Sequence, residues 1–287
     1  ILRFVKDQDY SENFGFQWNL FRETQIDNIN SKISKDRLKN QTNWYKEEFK
    51  SESNILEAGS GAGRFTKAFL ENYNGTLHSV DLSNAVESNK KNNLNFLNQK
   101  RLYLYQSDIA SLPFKDEVFD FVFCFGVLQH TPNPKKTLIE LISKAKNGAK
   151  IVIDFYPMKG FWTILSIKYF LRPITKRMNS KILLNLIKLT SPFFYFVYKL
   201  LEMIGLSFLV RFLPICDPRT IPATLNKEET LEWIILDTFD MFSAYYDYPQ
   251  KISDIEKIFI SNNCNITFSG YINYKHGTSA VVRATKK

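Results

Sequence analysis

The segment Asn54-Ile55-Leu56-Glu57-Ala58-Gly59-Ser60-Gly61-Ala62-Gly63-Arg64-Phe65-Thr66 constrains the fold more than any other part of the chain. A short apolar run ends in alternating glycines and continues with helical spacing, which reads as strand, tight turn and helix. Glycines let the backbone turn sharply and approach a ligand without Cβ clashes, although a plain glycine turn would use the same residues. The chain then repeats the alternation. Strands are expected at 76–81, 102–106, 119–125 and 150–155, and helices at 64–72, 84–98 and 134–146. That order predicts βαβ units and a parallel sheet. After a break the pattern returns with a helix at 251–262, a strand at 265–274, a turn at His276-Gly277 and a strand at 278–284, a hairpin that closes the sheet.

The break, residues 158–230, is apolar, aromatic and basic, with helical spacing interrupted at Pro173, Pro192, Gly205, Pro214, Pro218 and Pro222. It reads as a helical insertion after strand five. The expected division is therefore a lid or helical segment over 1–50, a sheet domain over 51–157 and 231–287, and a cap over 158–230. The 287 residues are 44 % apolar, enough for a full core, which excludes disordered and fibrous classes. The longest uncharged run in the insertion, 189–198, is ten residues and holds Pro192. A spanning helix needs about 18 apolar residues, so none is expected.

Cys124, Cys216 and Cys264 form no CxxC pair, so neither a disulfide framework nor a metal site is expected, and the reducing cytoplasm is the default compartment. The chain opens at Ile1, and Lys6, Asp7, Asp9 and Glu12 interrupt any signal-like stretch. It reads as processed or partial. Of the net charge of +9, residues 159–211 carry +8, from nine basic residues against the single acid Glu202. Such localisation points to a local anionic partner.

Three acids surround the glycine loop. Asp81 ends the second strand 22 residues after Gly59, where a carboxylate can accept from both ribose hydroxyls. Glu57 sits just before the loop, where it would repel a pyrophosphate but suit a cation. Arg64 stands where a dinucleotide fingerprint needs Gly or Ala. Asp108, after the third strand, can accept from an adenine amine. A ribose, a positive charge and no phosphate describe S-adenosylmethionine.

At these residues the chain resembles the class I S-adenosylmethionine-dependent methyltransferases. The resemblance is carried by 57–66, Val80-Asp81-Leu82-Ser83, 107–114 and 119–130. It implies a Rossmann-like seven-stranded α/β sheet whose last strand is antiparallel. It also implies that Glu57, Gly59, Ser60 and Gly61 face the methionine part, Asp81 and Leu82 the ribose, and Asp108 and Ile109 the adenine, with Phe125 and Gly126 at the same edge. Phe14-Gly15-Phe16-Gln17-Trp18 and Thr24-Gln25-Ile26-Asp27 resemble a bacterial subgroup in which a zinc ribbon often precedes a sequence like Ile-Pro-Arg-Phe-Val. Here Ile1-Leu2-Arg3-Phe4-Val5 departs at Leu2 but implies an upstream ribbon lost or removed.

Methyl transfer needs alignment of nucleophile, methyl and sulfur, and an oxygen nucleophile also needs a base. His130, leaving strand four, is the candidate; shaping the pocket is its alternative role. His78 and His276 read as structural. Substrate-side candidates are Tyr156 and, in the aromatic and acidic segment 237–247, Asp240, Tyr245 and Tyr246. That segment could equally be a packing loop. Trp18 and Phe16 could form a lid or pack on the sheet. The insertion is either a cap with its own core or a basic amphipathic face that meets an anionic membrane peripherally.

The leading function is methylation, at oxygen, of a small molecule or a glycan or lipid-linked acceptor. The alternatives are a nucleic-acid methyltransferase or a non-catalytic methyltransferase-like subunit. Nucleic acid is disfavoured because no Asn-Pro-Pro-Tyr-like motif and no Pro-Cys nucleophile is present.

Overall fold

The computed structural model describes residues 1–5, 10–27, 32–274 and 277–287. The chain forms two compact units, one of residues 1–158 and 246–287 and the other of residues 159–245. His276 lies outside the described residues.

The first unit is built on one eight-stranded sheet. Its strands are β1 (Leu2–Arg3), β2 (Asn54–Ala58), β3 (Thr76–Asp81), β4 (Leu102–Gln106), β5 (Phe119–Cys124), β6 (Ala145–Phe155), β7 (Cys264–Tyr274) and β8 (Gly277–Lys286), in the order β1-β4-β3-β2-β5-β6-β8-β7. The strands pair in parallel except β8, which runs antiparallel to both β6 and β7. The sheet thus has the Rossmann-like arrangement expected, with one strand more than the seven anticipated. The addition is β1, a two-residue ladder in which Leu2 and Arg3 pair with Tyr105 and Gln106. So short a strand has no periodicity of its own; the exposed edge of β4 supplies its partner.

Burial on both faces explains why the central strands read as near-continuous apolar runs. Neighbouring residues go to opposite sides. Leu56, Val122, Ile151, Ile153 and Val282 pack in one core with α6 (Pro134–Lys144) and α11 (Ile252–Ser261). Ile55, Phe121, Phe123, Val152 and Val281 pack in the other with α2 (Ile33–Thr42) and α3 (Arg64–Leu70). The Asp27 carboxylate caps the first turn of α2 from outside the helix, accepting from the backbone N–H groups of Ser34 and Lys35 at 2.8 Å each.

Near the carboxyl end of β6, Asp154 is buried. One oxygen accepts from the Gly126 N–H, where the chain leaves β5. The other accepts from Arg37 and from Gln41 Nε2 at 2.7 Å, both on α2. One carboxylate therefore fixes a strand exit and a helix together.

The second unit is helical: α7 (Phe161–Ile164), α8 (Ile167–Thr175), α9 (Ser180–Met203) and α10 (Lys227–Ser243). The return to the sheet domain expected at 231 falls inside α10. Asn226 and Glu229 cap this helix reciprocally, and Trp233, Ile234, Leu236, Phe239 and Phe242 are buried along it. The segment 237–247, open between a substrate-side segment and a packing loop, is helical through Ser243, because its aromatics follow the helical period.

Asp154→Ala should remove the counter-charge of Arg37 and the partner of Gly126, and cost about 3 kcal/mol in urea unfolding. Lys257→Ala breaks an exposed pair with Asp254 and should change stability by less than about 0.5 kcal/mol. Equal effects would contradict a structural role for Asp154.

Candidate functional site

Strands β2, β3, β4 and β5 end on the same edge of the parallel sheet, and the chemistry-bearing residues gather there. The Gly59 and Ser60 N–H groups both donate to the Val80 carbonyl, at 2.7 and 3.0 Å, which folds the glycine loop back over β3. At Gly59 φ is +80°, and a Cβ there would lie 2.2 Å from Val127, so both conformation and space demand glycine.

Glu57 is buried beneath this loop. Its Oε2 accepts from the hydroxyls of Thr66 and of Ser79, the latter at 2.7 Å. Asn89, on α4 (Val86–Asn92), donates to the same two hydroxyls at 2.9 and 3.1 Å. Asn93 in turn donates to Asn89 Oδ1 at 2.9 Å and to the Gly63 carbonyl at 3.2 Å. The other carboxylate oxygen, Oε1, is buried with no hydrogen-bond partner among the described residues. Burial pushes Glu57 up to about 7; the Thr66 and Ser79 donors pull it back and Asp81 pushes it further up. A buried carboxylate with one oxygen to spare suits a cationic group.

Asp81 Oδ2 accepts from the Gly61 N–H at 2.8 Å, and Oδ1 from the Ser83 N–H and hydroxyl at 2.9 and 2.7 Å. Burial raises its pKa, and the Ser83 and Gly61 donors oppose the rise. Oδ2 retains acceptor capacity for a hydroxyl. Leu82 is half-buried beside it. Asp108 Oδ1 accepts from the Ala110 N–H at 2.8 Å, which turns the residue after β4. Ser60 is buried with a hydroxyl lacking a partner among the described residues. Gly126 has φ of +70° and faces open space. Phe125 and Ile109 differ from the rest: their side chains belong to the two cores, Phe125 edge-on to Phe65 at 5.2 Å, so they can offer a ligand backbone only.

One helix spans these groups. Tyr10 and helix α1 (Glu12–Leu20) present Tyr10, Phe14 and Trp18 at a spacing of four, one stripe of a helix. The Tyr10 hydroxyl is 3.5 Å from Asp108 Oδ1, the Phe14 ring 5.2 Å from that of His130, and a Cβ on Gly61 would lie 3.3 Å from Trp18 Nε1. Gly15 makes the close approach possible, since a Cβ there would be 3.0 Å from the Asn84 backbone nitrogen. Trp18, with Phe14 and Tyr10, lies over the loop edge, a position that suits either of the two roles expected for it. Arg64 is engaged by the same N-terminal segment, donating to Gln25 Oε1 and to the Ser34 hydroxyl.

His130 is buried in a short 3₁₀ turn after β5. Its Nδ1 lies 2.9 Å from the Tyr246 carbonyl oxygen. A carbonyl only accepts, so Nδ1 carries the proton and Nε2 the lone pair, with no partner among the described residues. Tyr156 is edge-on to the ring at 5.5 Å. Tyr246 itself packs on Tyr10 at 5.3 Å. Of the four substrate-side candidates, Tyr156 and Tyr246 therefore meet at His130. Asp240 and Tyr245 belong to the helical unit, in α10 and just beyond it, with Lys176 Nζ 4.7 Å from the Tyr245 ring centre. His78 lies elsewhere, stacked on Tyr103 and Tyr105 and pushed down to about 4 by burial, a structural position.

The residues Thr66, Ser79, Asn89 and Asn93 carry no individual signal in the sequence reading. The spacing of Asn89 and Asn93 on one helix face, opposite the glycine loop, was the available signal. For Arg37, Gln41 and Asp154 no local signal exists, since more than a hundred residues separate the partners.

Residues 56–153 match the methyltransferase domain family. A stretch of 114 residues is 26 % identical to phosphoethanolamine N-methyltransferase 2 of Caenorhabditis elegans, covering 40 % of this chain and 26 % of that enzyme. Another of 106 residues is 33 % identical to an uncharacterized protein of Methanocaldococcus jannaschii, covering 37 % of this chain and 46 % of that protein. The chain thus spans less than half the length of either relative. Among solved structures, magnesium protoporphyrin IX methyltransferase from Synechocystis PCC 6803 with bound SAH superposes with a TM-score of 0.52 at 17 % identity, covering 98 % of each chain, a likeness of fold. The sheet order, the glycine loop and the acids define a nucleotide-cofactor domain of the Rossmann-like class. The family match makes residues 56–153 a methyltransferase domain, and the sheet around them has the fold of the class I S-adenosylmethionine-dependent methyltransferases, whose cofactor the loop and acids fit.

Two measurements test this geometry. Asp81→Ala should weaken S-adenosylhomocysteine binding by roughly 10- to 100-fold in titration calorimetry, about 1–3 kcal/mol for unpaired hydroxyls; unchanged affinity would remove Asp81 from the site. Glu57, raised from an ordinary 4.5 to about 7 in the folded protein, contributes stability present below pH 4.5 and lost as pH rises through 7. Over that window the cofactor-free protein should lose about 3 kcal/mol relative to Glu57→Gln in urea unfolding. Parallel pH curves for the two proteins would refute the raised carboxyl.

Proposed function

We propose that this chain is an O-methyltransferase that acts on a small-molecule or glycan acceptor, lipid-linked ones included, with His130 as the base. The carrying observation is the Nδ1–Tyr246 carbonyl contact, which leaves the lone pair of His130 on Nε2. When bound, S-adenosylmethionine supplies a methyl group activated on a sulfonium. The role of Asp81 is to hold ribose hydroxyls, that of Glu57 to face the cationic methionine end, and that of Asp108 to accept from adenine. Gly59, Ser60 and Gly61 provide close backbone approach. His130 Nε2 takes the proton that an acceptor hydroxyl gives up as its oxygen gains the methyl, while Phe14 and Tyr156 flank the imidazole and keep water away.

Hydroxyl chemistry is favoured over a thiol-based mechanism on nucleic acid because Cys124 is fully buried inside β5, where burial and then Asp154 push its thiol well up. A small acceptor agrees with the name of the Caenorhabditis elegans relative, which refers to phosphoethanolamine. Intact acids and loop favour an enzyme over a non-catalytic subunit.

The test is a methyl-transfer screen over small hydroxylated compounds and nucleotide sugars, read by S-adenosylhomocysteine release. On an accepted substrate, His130→Ala should lower kcat by roughly 10²–10⁴ and leave calorimetric affinity for S-adenosylhomocysteine unchanged. A loss below tenfold would return His130 to shaping the pocket.

A further inference from the structure

The helical unit buries one face of α9 and leaves the opposite one bare. Leu183, Leu184, Ile187, Ser191 and Tyr198 are buried on the side that packs against α10. Ile182, Leu186, Leu189, Phe193, Phe196, Leu200 and Met203 are exposed, with Leu189 at 77 % and Met203 at 82 %. At about 100° per residue these seven fall in one arc roughly 100° wide along the whole 24-residue helix. Lys181, Lys188 and Lys199 all lie along one border of that arc. Phe161, Ile164, Phe170, Ile174 and Phe208, on α7, on α8 and in the turn after α9, are exposed as well. Apolar exposure on this scale marks an interaction surface.

The geometry points to the surface of an anionic lipid bilayer as the occupant, with α9 lying in the headgroup boundary, its apolar arc down and its lysines at the phosphates. The charge selects this partner. Residues 159–211 hold nine bases and one acid, Glu202, whose carboxylate is already held by Lys199 at 2.7 Å and by the Tyr198 hydroxyl at 2.8 Å. The four–three spacing of the arc also suits a coiled-coil seam. A second copy, however, would bring the same unbalanced bases against themselves, and a two-helix seam would leave the exposed side chains of α7 and α8 uncovered. A bilayer interface takes apolar area and positive charge at once. Among the described residues no helix is long and apolar enough to cross a membrane, so the attachment is peripheral.

The experiment is co-sedimentation of the full chain with vesicles of phosphatidylcholine alone or mixed with phosphatidylglycerol, at low and high salt. Retention on the anionic vesicles, weakened by salt, is expected. Leu189→Gln with Phe193→Gln should lower the partition coefficient about tenfold or more. Replacing Lys181 and Lys188 by Gln should lower it about fivefold per lysine, about 25-fold in all, on anionic vesicles only. All four side chains are exposed, so circular-dichroism melting and S-adenosylhomocysteine binding should be unchanged, which separates this result from any failure of the catalytic reading. No retention on anionic vesicles at low salt, or retention that Leu189→Gln with Phe193→Gln leaves intact, would overturn the assignment. So would a vesicle-free dimer, seen by sedimentation, that the same pair of substitutions dissociates.

Discussion

The carboxylate of Glu57 imposes its needs on everything around the glycine loop. It sits in the central strand pair, where apolar side chains are otherwise the rule, and a charge there is tolerated only when its lone pairs are occupied. Thr66 from α3 and Ser79 from β3 occupy one oxygen, Asn89 from α4 braces both hydroxyls, and Asn93 carries the chain of donors back to the Gly63 carbonyl. Two strands and two helices are thereby registered against one another by polar contacts rather than by packing alone. The other oxygen is buried without a partner among the described residues. The elevated pKa of the group records the desolvation that its burial entails.

A second carboxylate does the corresponding work on the other side of the site. Asp154 holds the Gly126 N–H and ties α2 to β6. The exit of β5, and with it the turn that leads to His130, is therefore set by an ion pair with Arg37. His130 is then oriented from a third direction by the Tyr246 carbonyl, contributed from far along the chain. The imidazole stands where segments remote in sequence converge, and its tautomer follows from backbone geometry.

Most of the first unit was legible in the sequence because its demands are local. A glycine with φ of +80° beside Val127 leaves a mark in the sequence, and acids at strand ends are spaced by the length of a βα unit. The period-two separation of Leu56 from Ile55, or Val122 from Phe121, follows from strand geometry. What escaped was non-local or too short to have a period. Arg37 and Asp154 are partners only in three dimensions, β1 is two residues long, and Phe125 looked like an edge residue while its ring belongs to the core. The extent of α10 was misjudged because its aromatic and acidic residues resemble a binding loop, although Trp233 reaching Asp237 at 3.0 Å is an ordinary contact one helical turn apart. The apolar arc of α9 was visible as hydrophobicity; which half of it is buried depends on α10 and could not be read from α9 alone.

The stripe of Tyr10, Phe14 and Trp18 has a kinetic consequence. Helix α1 and the Tyr10 just before it reach Asp108, His130 and Gly61, and Gly15 lets the helix lie close against the turn after β3. A ligand held by those groups would have the stripe as one wall of its way in and out. Exchange of spent for fresh cofactor would then be sensitive to a few aromatic contacts at one end of the chain, away from the residues proposed for the chemistry.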